Sequence, residues 1–140
     1  ERDDRIKRLA GKIDRVLIDA PCSGLGTLRR NPDLKWRQSP KIVNDMQAKQ
    51  AAILTSAARL LKPGGRLVYA TCSVLTAENE AVADAFTAGQ AEHFQVLPAQ
   101  QALEAARVEP SAPLVAGPYL RLWPHRHQTD GFFAAVWQKS

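Results

Sequence analysis

What the chain lacks narrows the field first. Its 140 residues hold two cysteines and one methionine, and it does not begin with that methionine. No stretch approaches the roughly 18 apolar residues of a membrane span. No secretory leader is visible, because the chain opens on the charged run Glu1-Arg2-Asp3-Asp4-Arg5. Two cysteines without such a leader point to a cytoplasmic protein with free thiols; a structural Cys22–Cys72 disulfide is the alternative. No glycine-rich nucleotide loop leads into a helix, and Gly24-Leu25-Gly26 is only a weak phosphate-cradle signal. His125 and His127 have no cysteine or carboxylate completing a zinc-like set, so no metal is expected and they read as solvated or phosphate-facing. The missing initiator methionine reads as a piece of a longer protein.

What is present describes a water-compatible domain. An apolar content of 45% and a charged content of 24% are those of a globular protein, and 140 residues suffice for one core. The net charge of +5 favours a polyanionic partner, nucleic acid before others; a merely basic protein is the plain alternative.

Residues 1–12 read as a helix remnant or frayed end, with Ile6 and Leu9 as anchors. The run Val16-Leu17-Ile18 then meets Asp19-Ala20-Pro21-Cys22-Ser23-Gly24, as a buried strand over 14–19 ends in a tight loop. A long basic loop follows over 20–38, with Arg29, Arg30, Lys35 and Arg37 around Trp36. Ser39-Pro40 is a helix start, and Ile42, Met46, Ile53, Ala57 and Leu60 give one amphipathic helix over 40–61. Lys62-Pro63-Gly64-Gly65 turns the chain into a second strand over 66–71. Strand, helix and strand make a βαβ unit of a parallel sheet. A helix from Thr76 to Gly89 and strands at 93–97, 119–123 and 132–137 complete the reading. Residues 98–118, with a short helix over 100–107, are long for a structureless connection and so functional or mobile.

Both cysteines close a strand and both precede a serine: Cys22-Ser23 and Cys72-Ser73. Parallel neighbours end at one sheet edge, where α/β proteins place their ligands, so the two thiols are expected in one cleft. A thiol beside backbone amides can have a lowered pKa and act as a nucleophile; a buried cysteine is otherwise a small hydrophobe. Asp19, at the end of an apolar run, is expected to be partly desolvated with a raised pKa, or else to cap the loop.

At these residues the chain resembles the RNA 5-methylcytosine methyltransferases, above all the bacterial ribosomal RNA small-subunit methyltransferase B group. The resemblance rests on Asp19-Ala20-Pro21-Cys22-Ser23-Gly24 and Tyr69-Ala70-Thr71-Cys72-Ser73. Arg29-Arg30-Asn31-Pro32-Asp33, Lys35-Trp36 and Asp130-Gly131-Phe132-Phe133 support it. It implies a Rossmann-like class I methyltransferase sheet, parallel with a final antiparallel strand and with helices on its faces. This chain would hold its C-terminal half.

The resemblance also implies roles. Cys72 would be the nucleophile that adds to carbon 6 of cytosine. Asp19 would hydrogen-bond the ring nitrogen, and Cys22 would resolve the adduct by loss of the carbon-5 proton. Asp19 and Pro21 would lie beside the methyl donor, S-adenosylmethionine. Ser23, Arg29, Arg30, Lys35 and Arg37 would face the RNA, a nucleotide of which must be unstacked to react. DNA cytosine enzymes use the Pro-Cys thiol instead, so Cys72 favours ribosomal RNA as partner. The donor loop and the N-terminal RNA-binding domains would lie upstream. The fragment alone is then expected to be inactive and to bind the donor weakly or not at all, and its exposed first strand invites an edge-strand homodimer. Two other classes compete: a redox or thiol-transfer protein using the cysteine pair, disfavoured by the absence of Cys-x-x-Cys, and a non-catalytic basic RNA-binding module.

Overall fold

The computed structural model describes residues 4–140; Glu1, Arg2 and Asp3 of the expected helix remnant lie outside the described residues. A short helix α1 (Asp4–Lys7) leads to strand β1 (Ile13–Asp19). Ile6 and Leu9 are weaker anchors than expected: about half of each stays exposed, with Ile6 lying against Ile53 and Ala57. After the basic loop, which contains the one-turn helix α2 (Leu34–Arg37), comes α3 (Pro40–Ala58). The Ser39 hydroxyl accepts from the Ile42 amide, and Pro40, which has no amide hydrogen, takes the first helical position. The buried residues of α3 are Gln50, Leu54 and Ala58, spaced four apart, with Ile53 and Ala57 partly buried beside them. Ile42, expected inside, lies outside.

Strand β2 (Leu61–Thr71) begins earlier than expected, because the Lys62-Pro63-Gly64-Gly65 turn is absorbed as an irregularity in the ladder. Ile13 pairs with Leu61 and Arg15 already with Arg66, so the intervening residues bulge out, with Gly64 at a φ of 82°. From there β1 and β2 run parallel to the Asp19–Ala70 pair. The next helix, α4 (Glu80–Gly89), starts later than Thr76 because residues 76–79 form a turn.

Strands β3 (Phe94–Leu97), β4 (Val115–Ala116), β5 (Tyr119–Leu122) and β6 (Phe132–Lys139) complete one sheet. β6 inserts antiparallel beside β2, and its other edge is shared: β5 takes the first part and β3 the second. The sheet is therefore mixed, as expected for the methyltransferase fold, with β1 at one edge. Residues 98–118 are not structureless: they hold α5 (Ala99–Ala105), a 3-10 turn at Ala112–Leu114, and β4. Helix α6 (Pro124–His127) lies between β5 and β6.

One sheet face carries the core. Val16 and Ile18 of β1 stand beside Leu67 and Tyr69 of β2, which face Trp137 and Ala135 of β6. Leu67, Tyr69, Phe133 and Trp137 have no exposed surface. Phe86 of α4 meets Trp137 edge-on at 4.9 Å, and the indole N–H donates to the Thr87 hydroxyl at 2.9 Å.

Candidate active site

Because β1 and β2 are parallel and in register, the residues that follow them emerge side by side. The ladder extends one step past β1, with the Ala20 amide on the Ala70 carbonyl at 2.9 Å. Cys22 then meets Cys72 with the sulfurs 3.2 Å apart, both thiols free. The two thiols come together as expected, and no disulfide joins them. Both thiols are half-buried. The two sulfurs divide the work of one proton. Either sulfur of this contact can donate the hydrogen; with Cys22 donating, the Cys72 thiol is drawn down to about 7 against the opposing effect of burial. Cys22, whose hydrogen is engaged by Cys72 and which is also buried, is pushed well above the usual thiol range.

Three backbone segments cross directly behind Cys72. The Gly26 amide donates to the Cys72 carbonyl at 2.8 Å, and the Gly131 amide donates to the Gly26 carbonyl at 2.7 Å. A Cβ on Gly26 would lie 2.4 Å from the Gly131 oxygen and 2.5 Å from the Cys72 oxygen. Gly26 is thus a crossing point rather than part of a phosphate cradle, and it is buried.

Beneath the thiols lies Glu78, fully buried. Its Oε1 accepts from the Ser23 amide at 2.7 Å and from the Gln50 side chain at 3.3 Å. Its Oε2 accepts from the Ser23 hydroxyl at 2.7 Å and from the Ser73 hydroxyl. Gln50 also donates to the Pro21 carbonyl at 2.8 Å. Asn79, equally buried, accepts from Thr71 and donates to the Ser73 carbonyl at 2.9 Å. Arg121 donates to the Val74 carbonyl at 2.9 Å and pairs with Glu80 at 3.3 Å. Burial of Arg121 lowers its pKa, against the pull of Glu80.

The sequence and the fold that carry this site have known relatives. The family model for the 16S rRNA methyltransferase RsmB/F covers residues 2–138. The chain belongs to that family. A ribosomal RNA small subunit methyltransferase B of Salmonella arizonae is 40% identical over 124 residues, 89% of this chain and 26% of that protein. The crystal structure of PH0851 superposes with a TM-score of 0.80 at 41% identity, over 93% of this chain and 27% of that one. NSun6 from Pyrococcus horikoshii, solved with SFG, gives a TM-score of 0.73 at 27% identity, over 96% of this chain and 32% of that one. The chain thus spans little more than a quarter of the length of the curated relatives it matches, such as those at 28% and 26%.

Against this RsmB/F background the remaining expected site residues take their places. Asp19 and Pro21 are exposed at the end of β1. The expectation of a desolvated Asp19 does not hold, because Asp19 lies on an edge strand and alternates away from Ile18 and the core. Ser23, expected at the RNA, is 2% exposed and bound to Glu78, so it supports the loop from inside. Arg29, Arg30, Lys35 and Arg37 are all exposed. Asp130 receives Arg29 at 3.0 Å and Arg30 at 2.6 Å, and first Arg30, then Arg29, holds its carboxyl below the usual range. Arg37 pairs with Asp33 at 2.8 Å, and Lys35 sits 5.0 Å from the Trp36 ring centre. His127 is not solvated as expected, since its ring accepts from the Trp123 amide at 2.9 Å and reaches the Pro113 carbonyl at 2.7 Å.

Sequence reasoning misses Glu78, Gln50, Asn79 and Arg121. The one available signal is the serine repeated after each cysteine, which asks for a shared acceptor. Among the described residues no helix is long and apolar enough to cross a membrane.

Proposed function

We propose that this chain is the thiol-bearing, C-terminal half of the catalytic domain of an enzyme that methylates carbon 5 of a cytosine in ribosomal RNA through a covalent cysteine adduct. The observation that carries the reading is the thiol pair. Two cysteines at 3.2 Å, one lowered to about 7 and the other raised, supply one thiolate and one proton-bearing partner. A redox pair would also need proximity, but membership of the RsmB/F family favours methyl transfer.

In this reading the Cys72 thiolate adds to carbon 6 of an unstacked cytosine. As the thiolate adds, the ring nitrogen takes up a proton held between it and the exposed Asp19 carboxyl, and the added electron density collects at carbon 5. S-adenosylmethionine, when bound, supplies the methyl group. Once Cys72 is tied up in the adduct, Cys22 passes its own proton to solvent and, as a thiolate, accepts the carbon-5 proton, after which the Cys72–carbon 6 bond breaks and the Cys72 thiolate is restored. Asp19 and Pro21 fit one side of a donor site; its other side falls to whatever covers the open edge of β1. The cytoplasm, where ribosomal RNA is modified in bacteria, is the compartment assigned to it.

The RNA would cross the exposed basic loop. Arg29, Arg30 and Lys35 face backbone phosphates, and Trp36, 81% exposed, offers a face on which a neighbouring base can stack.

The test uses the intact protein, unmodified ribosomal RNA and donor carrying a labelled methyl group. Cys72→Ala is expected to abolish both transfer and adduct. Cys22→Ala is expected to leave a protein–RNA adduct that survives a denaturing gel. Adduct formation in the first variant and none in the second would overturn the assignment of roles.

A further inference from the structure

We propose that Glu78 is the positioning residue of this site: its buried carboxylate ties together the two cysteine-bearing loops and so sets the thiols in contact. The inference rests on the reading of Cys72 as the reactive thiol.

The geometry behind it is specific. Ser23 and Ser73 each follow a cysteine directly, and Glu78 Oε2 accepts from both hydroxyls. The hydroxyls themselves stand 3.5 Å apart. Oε1 adds the Ser23 backbone amide, so the Cys22 loop is held by main chain as well as side chain. The carboxylate is fully buried, and among the described residues no cation pairs with it; Arg121, the nearby guanidinium, goes to Glu80. An unpaired buried carboxylate is costly, and here only hydrogen bonds offset that cost. Glu78 is itself held in place. The Tyr69 hydroxyl donates to its carbonyl at 2.6 Å, and the adjacent Asn79 returns to the Ser73 carbonyl. The clamp acts on the residues beside both sulfurs, and its one further side-chain donor, Gln50 of α3, itself holds the Pro21 carbonyl beside Cys22.

A position-setting role and a charge effect are separable by their sign. The Glu78 charge opposes ionisation of Cys72, so its loss alone would lower the Cys72 midpoint. Loss of the clamp lets the sulfurs part, removes the Cys22 hydrogen bond, and raises the midpoint. Glu78→Gln keeps the shape: its carbonyl accepts from the Ser23 amide and its NH2 donates to serine hydroxyls that rotate to accept. Glu78→Ala removes the clamp and the charge together.

The experiment is iodoacetamide alkylation of Cys72 against pH, read by mass spectrometry, which needs neither donor nor RNA and so fails independently of the methyltransferase reading. In the unmodified protein the rate should rise as pH increases through about 7. In Glu78→Ala the midpoint should move up toward about 8.5, a loss of roughly 15-fold in reactivity at neutral pH. Glu78→Gln should remain at or below the original midpoint. A lowered or unchanged midpoint in Glu78→Ala would overturn the proposal. Should Glu78→Ala not fold, Ser23→Ala and Ser73→Ala each cut one tie. Each should raise the midpoint part of the way, and unchanged midpoints in both would overturn it equally.

Discussion

Cys72 is hemmed in by its neighbours, and the tightest of these is a residue with no side chain. Gly26 lies where the carbonyls of Cys72 and Gly131 converge, and both would collide with a Cβ there. These are backbone atoms, so the strain cannot be relieved by a rotamer change. Overpacking of this kind costs about 1–3 kcal/mol or more. Gly26→Ala should therefore lower the denaturation midpoint with an unchanged m-value and slow Cys72 alkylation as well. Gly89→Ala is the control, because nothing lies within 4 Å of that position and alanine suits a helix better. Equal midpoints for the two variants would refute the crossing-point role. The same residues mark the limit of what the sequence discloses. The thiols are legible because each ends an apolar, strand-like run, and parallel strands share an edge. Gly26 resembles half of a phosphate loop, and only the return of Gly131 from the far end of the chain gives it its role. Glu78 reads as an acid at a helix start, whereas its partners come from two loops and from Gln50 on α3.

At the scale of elements, the order β1, α3, β2 follows directly from hydrophobic period and from Ser39-Pro40. The shared edge of β6 does not, because β3 and β5 are short strands whose pairing is decided by long-range register. The segment proposed to meet the RNA is the basic loop with α2. It is fastened to the site, not hung beside it: Gln38 donates to the Ser23 carbonyl at 2.8 Å, and Leu34 lies under Gly24. Asp130 neutralises part of the Arg29–Arg30 charge, so Lys35 is the cation of this loop that, among the described residues, no carboxylate holds. Two substitutions should then separate charge from stacking. Lys35→Ala should weaken binding of unmodified ribosomal RNA and flatten the plot of log affinity against log salt by about 0.7. Trp36→Ala should cost about 1–3 kcal/mol at every salt concentration and leave the slope alone. Filter binding of the intact protein across a salt series reads both, and an unchanged affinity in the two variants would remove the RNA from this loop.

The whole molecule is lopsided. β6 is covered on both edges, while β1 pairs only with β2 among the described residues and turns its other edge outward. Leu17, on that strand, is 71% exposed, and Asp19 at its end is exposed too. An open edge with an apolar side chain is a template for another strand. In longer relatives, of which this chain matches little more than a quarter, further chain is available to occupy such an edge. The 140-residue chain on its own has only a second copy of itself. It should therefore associate through β1 in a concentration-dependent way, seen as a rising sedimentation coefficient. Leu17→Lys, which puts a charge on the edge strand and removes the exposed apolar surface, should return it to a monomer without altering the Cys72 alkylation profile, since the thiols lie beyond the strand and their ties run to Glu78. A monomer at all concentrations would mean that the bulge between Ile13 and Arg15 already protects the edge, as bulges do in other sheets. Association that persists in Leu17→Lys would place the contact elsewhere, with the groove between α1 and α3, lined by Ile6, Ile53 and Leu60, as the next surface to alter.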